Sequence, residues 1–501
     1  MLGVMDPQVT EGFGVSSVEQ LDELQKALGT GQDGEAYGNG AYADMSAIRP
    51  QSLEGTLKVV TAKDQHIKFW KSIGKKKAFN TVEEFNVLDS YGGDSSPFFV
   101  EGGLPNEEDS NFIRQAQYVK YLGTTRVITH PATLVRNTIG DIVAQQTRDG
   151  TQWLLMQLER ALYFADSSLN PLAFDGVIAQ VKNFVAGKPY ENQHIIDMRG
   201  NPLDEFTLED IATIVLDNYG NPSLELHMTN QVHKDLSKIV LGTTANGVYN
   251  GRQRVDNPGE GIRLGQPVTG YQANAASIQF VNNIFLKPLG APKAASQKGA
   301  PAVPTITGIA APVDAVEDAT SKMTAGTYHY FVSAVNSQGE SAPVYAGSVA
   351  VASGQRADIT INRVVTDPAA LTYRVYRGVT SNASEAQFAF EVKDVGGTEP
   401  TQAISDRNFA IPGTHTAILI DNDPGQVLCF KQLAPLMKMP LARISASERF
   451  MILLYGMVQV YNPRRIVVIK NIGVQGINSN RPLFGPTYGA TSFGTIKPVA
   501  R

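Results

Sequence analysis

Histidines and acidic runs are the side chains of this sequence that could bind a metal ion or transfer protons. Among seven scattered histidines, His227 and His233 are the closest pair that could share a metal. They straddle a predicted strand–helix junction, which favours two separately packed imidazoles over a shared site. The sequence contains no HExxH, GxSxG or GxxxxGK[ST] motif. Zincin, serine-hydrolase and P-loop chemistry are therefore not indicated.

Carboxylates are clustered at three places in the chain. Glu83-Glu84 and Glu107-Glu108-Asp109 could supply paired catalytic acids, but adjacent charges are more typical of a solvated or partner-facing surface. Asp421-Asn-Asp-Pro-Gly425 resembles the opening of a calcium loop, yet the closing glutamate is absent, so a turn is expected. A basic run, Lys75-Lys-Lys77, could pair with such acidic residues on another copy of the chain. The single cysteine, Cys429, cannot form an intrachain disulfide and is expected to be buried.

The composition excludes several classes of protein. With 501 residues, 42% of them hydrophobic and 18% charged, the chain can build cores in several domains of roughly 150 residues each. A net charge of −5 argues against a protein that binds DNA through a basic surface. The N-terminus has no basic or apolar leader, and no apolar run approaches the roughly 18 residues of a membrane span. We therefore expect a protein that is made in the cytoplasm and contacts no membrane.

The first part of the chain is predicted to form an arm. Residues 1–50 are rich in glycine, and Val18, Leu21, Leu24 and Leu28 recur at the spacing of a short amphipathic helix. Such a helix has no core of its own to cover its apolar side. We expect it to pack on a neighbouring molecule.

A ribbon and a long helix are predicted next. Strand formers at Phe79–Leu88, turn residues at 91–105 and a return strand at Asn111–Thr129 indicate a two-stranded excursion. A ribbon this long is marginal alone in water and needs a second surface. The proline-free segment 137–166 then predicts a helix of roughly 40 Å.

The later part of the chain is predicted to change from mixed α/β structure to strands alone. One predicted helix has Thr207 as N-cap, with Phe206 packed against Ile211. A proline-rich linker at 288–304 then precedes alternating strands that extend to about Asp406. These strands predict a β-sandwich of about 100 residues. Alternation is expected to put Tyr328, Tyr330, Val332 and Ala334 on one face of a strand. The expected private core is formed by Tyr328, Tyr330, Tyr373 and Val375.

The order of these elements resembles the tailed-bacteriophage capsid fold. In that α+β fold, an N-terminal arm leads to an extended β-loop, a long spine helix, an axial domain and closing strands of a peripheral domain. Phe174-Asp-Gly-Val177 resembles the turn that begins the axial domain, and Tyr461-Asn-Pro-Arg-Arg-Ile466 resembles the closing strands. The resemblance implies an arm at 1–50, peripheral parts at 51–74, 119–171 (with the spine helix) and 450–473, an extended loop at 75–118, axial parts at 172–295 and 414–449, and a tail at 474–501.

A second resemblance concerns the strand-rich segment. Gly326–Pro343 resembles the strand–turn–strand of immunoglobulin-like and fibronectin type III modules, with Gly339-Glu-Ser341 as the turn. It lacks the two cysteines and the core tryptophan of antibody domains. The resemblance implies an all-β sandwich inserted at 296–413, on the outer face of a shell.

The two resemblances together imply a major capsid protein and not an enzyme. Copies of the chain would assemble as hexamers and pentamers into the icosahedral head shell of a virion, with double-stranded DNA as non-specific contents. No cofactor or metal is implied. The implied partners are other copies of the chain, a separate scaffolding protein, a portal and decoration proteins. The candidate interface residues are Val18, Leu21, Leu24, Leu28, Lys75, Lys76, Lys77, Glu107, Glu108 and Asp109.

Two other functions remain open at this point. One is another virion structural protein, such as a tail sheath, tube or baseplate subunit. The other is a secreted polysaccharide-active enzyme with a fibronectin-like module, which predicts a leader peptide and a cleft with carboxylates. Electron microscopy separates shells from tubes and from dispersed monomers.

Overall fold

The computed structural model describes residues 61–474, apart from gaps at 94–95, 105, 136–139, 241–254, 258–260, 264–267, 313–320, 353, 422, 424 and 444. Contacts divide the chain into two units, Met1–Val59 with Leu134–Ile142, and Val60–Thr133 with Val143–Arg501. Of the first unit, only residues 134–135 and 140–142 are described. No helix among the described residues is long and apolar enough to cross a membrane.

Helices and strands both contribute to the fold. The helices are α1 (Phe69–Ser72), α2 (His130–Leu134), α3 (Ile142–Phe164), α4 (Val177–Val185), α5 (Glu191–His194), α6 (Glu205–Asp217) and α7 (Asn230–Val240). The strands up to the proline-rich linker are β1 (Lys75–Lys77), β2 (Val82–Ser90), β3 (Asn111–Tyr118), β4 (Lys120–Thr129), β5 (Ile195–Asp197), β6 (Ser223–Met228), β7 (Val255–Asn257), β8 (Gly261–Arg263), β9 (Gly270–Gln272) and β10 (Ser277–Asn282). The later strands are β11 (Thr305–Ala310), β12 (Gly326–Val335), β13 (Val344–Val351), β14 (Ala357–Asn362), β15 (Thr372–Gly378), β16 (Gln387–Lys393), β17 (Thr401–Asp406), β18 (His415–Asp421), β19 (Leu428–Pro440), β20 (Ser447–Val460) and β21 (Ile466–Ile472).

The long helix α3 starts later than the proline-free segment 137–166 predicts. Gly140 has a φ of +93°, a left-handed conformation that ends any helix before Ile142. The predicted start at residue 137 lies outside the described residues. From Ile142 the helix continues to Phe164, and one face lies in the core because three leucines recur every fourth residue. These are Leu154, Leu158 and Leu162.

Two sheets form the body of the second unit. The four-stranded sheet has the order β1-β19-β20-β4, and the six-stranded sheet has the order β5-β21-β18-β6-β10-β9. A cluster of aliphatic side chains from α6, α7 and the six-stranded sheet forms one hydrophobic core of this body. The pairing of the last strands differs from the expected division into an axial part at 414–449 and a peripheral part at 450–473. Strand β19 pairs with β20 in the four-stranded sheet, whereas β21 returns to pair with β18 in the six-stranded sheet.

The ribbon is shorter than the expected loop of residues 75–118. Strands β2 and β3 pair antiparallel from Val82↔Tyr118 outward to Ser90↔Asn111. The basic run before them is not part of the ribbon, because β1 pairs parallel with β19 in the body. The predicted return strand to Thr129 is divided after Tyr118, since β4 pairs with β20 instead.

Residues 305–406 form two further sheets. Their orders are β11-β14-β17 and β13-β12-β15-β16, and side chains from both sheets share one buried cluster. The four residues expected in that core, Tyr328, Tyr330, Tyr373 and Val375, all lie in it.

The linker before these sheets is held against them. Gln297 and Glu340 exchange two hydrogen bonds, Gln297 N to Glu340 O at 3.0 Å and Glu340 N to Gln297 Oε1 at 2.9 Å. Asn336 Nδ2 also donates to Gly299 O at 2.9 Å. The strands on either side of the segment, β10 and β18, do not pair with each other, because β6 lies between them. The linker is thus a bonded part of the structure more than a free tether.

Helix α6 begins one turn before the predicted cap. Asp204 is the N-cap, and its carboxylate accepts a hydrogen bond from Thr207 N at 2.9 Å. Thr207 therefore lies inside the first turn of the helix. The predicted packing of Phe206 against Ile211 is wrong, since Phe206 is 70% exposed.

Candidate assembly surfaces

The basic run lies at the exposed edge of the four-stranded sheet. Lys75, Lys76 and Lys77 are all exposed in β1, and none forms an ion pair with a described residue. Lys75 Nζ stands 4.5 Å from the centre of the Trp70 ring, and partial burial lowers its pKa. Lys76 Nζ donates to Gly425 O at 3.2 Å. The three ammonium groups are therefore held on one edge and remain available to an anionic partner.

The acidic run lies beyond the ribbon strands, before β3. Glu107, Glu108 and Asp109 are exposed, and the Glu108 carboxylate accepts a hydrogen bond from the Gly93 backbone N–H across the ribbon tip. This contact fixes one carboxylate to the opposite side of the turn. Within one subunit, the structure does not bring the acidic run to Lys75–Lys77.

The ribbon tip carries an exposed apolar surface. Phe98 is 89% exposed and Leu104 is 93% exposed. A group of exposed apolar side chains of this kind is typical of a surface that binds a partner. The two-stranded sheet gives these side chains no core to enter. We call this surface the ribbon tip patch, which comprises Tyr91, Phe98, Phe99, Val100, Leu104 and Phe112.

The root of the ribbon, in contrast, is fixed to the body. Glu83 is 8% exposed and accepts hydrogen bonds from Phe79 N at 2.6 Å, Asn80 N at 3.1 Å and Lys431 Nζ at 2.8 Å. Burial by itself would raise the Glu83 pKa. The hydrogen bonds from Lys431 and from two backbone N–H groups outweigh this effect, so the pKa lies below its ordinary value. The expectation that this acidic pair is solvated is therefore wrong for Glu83. Phe85 and Tyr461 add an edge-to-face contact at 5.2 Å.

A buried carboxylate ties the start of the described chain to the long helix. Glu159 in α3 is fully buried and accepts from the backbone N–H groups of Lys68, Phe69 and Trp70 at 3.0, 2.7 and 2.8 Å. Asn283 Nδ2 donates to the same carboxylate at 2.7 Å. Sequence reasoning missed this residue, although a glutamate beside Leu158 on the apolar face of a helix is a signal of a buried partner.

The two histidines considered as a metal pair lie in separate networks. His227 Nδ1 lies 2.8 Å from Tyr163 Oη, whereas His233 Nε2 lies 2.7 Å from Val268 O. No group of three potential metal-binding side chains occurs in the part of the chain that is described. Asp421 ends strand β18, residues 425–427 form a turn, and Asp421 Oδ2 lies 3.4 Å from Arg465 Nη1. Cys429 is buried, as predicted.

Four of the candidate interface residues belong to the predicted arm. Val18, Leu21, Leu24 and Leu28 lie outside the described residues. Their role at an interface stays a prediction from the sequence.

Curated relatives match almost the whole chain. It is 24% identical over 485 residues to the major capsid protein of Staphylococcus phage S25-3, covering 91% of this chain and 98% of that protein. The major capsid protein of Staphylococcus phage K matches with the same identity and coverage. A relative from Enterococcus phage phiEF24C, also described as a major capsid protein, is 24% identical over 452 residues, covering 86% of this chain and 91% of that protein. No protein-family model matches.

Solved structures match with lower scores. The capsid of a native GTA particle has a TM-score of 0.45 at 9% identity, covering 88% of this chain and 98% of that chain. A chain from Mycobacterium phage Bobi has a TM-score of 0.44 at 8% identity, covering 85% and 96%. Both TM-scores lie below 0.5, so the similarity to known proteins is judged from the sequence relatives alone. Over 91% of its length, this chain is similar to major capsid proteins of bacteriophages.

Proposed function

We propose that this chain is the major capsid protein of a tailed bacteriophage. Similarity to relatives named for that role, over almost the full length of both chains, supports the formation of a capsid shell. The relatives' names describe a structural protein, so no catalytic site is proposed. Copies of the chain would close into an icosahedral head around double-stranded DNA, built from hexamers and pentamers.

The ribbon tip patch is the structural observation that carries this proposal. A two-stranded ribbon anchored at Glu83 and apolar at its far end is stable only where a second surface covers that end. A closed shell supplies this surface at every subunit, because each copy has a neighbour in the same orientation. In this proposal, the ribbon of one subunit lies on the next.

The two charge runs support contacts between copies. Lys75–Lys77 lie on the body and Glu107–Asp109 lie at the ribbon tip, and they do not meet within one subunit. A ribbon lying across a neighbour would bring its acidic run near that neighbour's basic edge. Exposed pairs of this kind contribute roughly 0–1 kcal/mol each, so they would set the register more than the strength of the contact.

The segment 296–413 would be an inserted immunoglobulin-like module on the outer face. Two sheets around their own core support this interpretation. The strands before and after the segment, β10 and β18, also belong to the same six-stranded sheet. The lumen of a filled head has little space for such a module. The arm, residues 1–50, would bind neighbouring subunits, and a scaffolding protein, a portal and decoration proteins would be further partners during assembly in the host cytoplasm.

Electron microscopy of the purified chain tests this function. We expect closed shells or capsomers, formed alone or with the scaffolding protein of the same virus. Tubes would indicate a tail protein, and dispersed monomers under all assembly conditions would reject a shell subunit. A triple variant, Glu107→Gln, Glu108→Gln and Asp109→Asn, should assemble with lower yield, whereas Glu385→Gln, an exposed substitution in the two-sheet segment, should not change the yield.

A further inference from the structure

A cleft opens where residues 305–413 meet the body. Its volume is about 440 Å³, within the range of small-molecule sites. The body contributes Phe164 at the end of α3 and Val468 in β21, and the two-sheet segment contributes Phe390 in β16 and Phe409. Three aromatic rings from three separate elements thus form an apolar interior.

Cationic side chains exceed carboxylates around this cleft. Lys182, Arg407 and Lys470 line it, together with Glu191 and Asp406. Asp406 is already neutralised, because Arg377 Nη1 lies 2.7 Å from it in a fully buried ion pair. Glu191 accepts a hydrogen bond from Gly187 N at 3.0 Å. The cleft therefore combines apolar walls with a net positive charge.

Lys470 is a cation of this cleft whose charge is partly buried. Its side chain is partly buried in β21, and its ammonium forms no hydrogen bond or ion pair with any residue that the structure describes. Burial lowers its pKa, and the charges of Lys322 and Lys182 lower it further, although Asp197 and Glu191 act in the opposite direction. Asp197 is itself engaged by Lys322 at 3.3 Å. An anion bound beside Lys470 would offset the cost of burying this charge.

We propose that the cleft binds a small amphipathic carboxylate. The carboxylate group pairs with Lys470 and Lys182, and the hydrocarbon part lies against Phe164, Phe390 and Phe409. The C-terminal segment of this chain is a poor occupant, since residues 475–501 contain only cationic charged side chains. The site belongs to the folded subunit and does not depend on shell assembly.

Isothermal titration calorimetry of the full chain with octanoate tests the proposal. We expect saturable binding of one octanoate per subunit. Acetate and 1-octanol should each bind at least about tenfold more weakly, because acetate lacks the hydrocarbon chain and 1-octanol lacks the carboxylate. Lys470→Met should weaken octanoate binding by at least about tenfold. Lys393→Met removes an exposed lysine of β16 outside the cleft and should leave the affinity unchanged.

A second variant tests the location of the site. Ala410→Phe places a ring inside the cleft and should abolish octanoate binding while the melting temperature of the ligand-free protein changes little. The proposal is overturned if octanoate fails to saturate, or if the folded Lys470→Met and Ala410→Phe variants bind octanoate as the parent does. Equal affinity for octanoate and 1-octanol would also overturn it, because the cations would then play no part.

Discussion

Lys431 Nζ lies 2.8 Å from Glu83 Oε2, which joins the root of the ribbon to the central strand β19 of the body. The two residues are far apart in the sequence, and both side chains are largely buried. Two backbone N–H groups complete the hydrogen bonding of the same carboxylate. These contacts hold the root of the ribbon against the body.

Replacing Glu83 with glutamine should destabilise the unassembled subunit. The change removes a charge-assisted hydrogen bond in a largely buried place, which should cost about 1–2 kcal/mol of unfolding free energy in urea titrations. Glu101→Gln, an exposed substitution on the same ribbon, is the matched control and should cost almost nothing. Equal stability of Glu83→Gln and the parent would contradict the role of this contact.

The stabilisation by Glu83 should also depend on pH. Its folded pKa lies below the ordinary value of 4.5, so its contribution is complete above 4.5 and is lost as the pH falls through the folded pKa. The difference in unfolding free energy between the parent and Glu83→Gln should therefore shrink as the pH is lowered below 4.5. A difference that stays constant with pH would show that the charge is not responsible.

Glu159 should be the most sensitive polar residue of the long helix. Glu159→Ala leaves three backbone N–H groups and the Asn283 amide without their acceptor, which should cost about 3 kcal/mol or more of unfolding free energy. Gln157→Ala, at an exposed position of the same helix, is the control. Both variants can be compared by thermal and urea unfolding. Similar losses in the two would mean that helix propensity, and not the buried network, explains the effect.

Sequence patterns predicted those helices, strands and turns whose formation depends on neighbouring residues. The proline-free segment 137–166 predicted the long helix, and alternation from Tyr328 to Ala334 predicted a strand whose one face is buried. The dense glycines and prolines between Ser90 and Asn111 likewise predicted the ribbon tip. For the helix and the strand, the period of the side chains fixes both the type of element and its buried face.

Contacts between distant parts of the chain were beyond such patterns. Nothing near β1 indicates that it pairs with β19, and nothing near Glu83 indicates Lys431 as its partner. The cap of α6 shows a local failure, because Asp204 and Thr207 are both good N-caps and the preceding aspartate is the one used. The candidate interface residues could be proposed from charge and apolar spacing, but which surfaces they meet depends on a second copy.

Replacing residues 296–413 with a short Gly-Ser linker should leave a chain that folds and assembles. The two-sheet segment has its own core, so the excised piece should also fold alone. The shortened chain should melt at a lower temperature, because Asp197 loses Lys322 and Asn471 loses Phe409 O. Circular dichroism and electron microscopy measure both outcomes. An insoluble shortened chain would contradict an independent module.

The ribbon tip should be cut by proteases in free subunits and protected in shells. The tip patch is exposed in the subunit and needs a neighbour to cover it. Limited chymotrypsin digestion should cleave near Phe98 and Leu104 in unassembled protein, with slower cleavage in assembled particles. Cleavage at the same rate in both states would contradict burial of the tip on a neighbour.

A density map of the particle formed by the full chain tests the shell proposal most directly. Electron cryomicroscopy should reveal a closed icosahedral shell in which the ribbon tip patch of each subunit contacts an adjacent copy, with the acidic run of Glu107–Asp109 near the neighbour's Lys75–Lys77. A tubular particle, or a shell in which the ribbon tips contact no other subunit, would contradict the proposal.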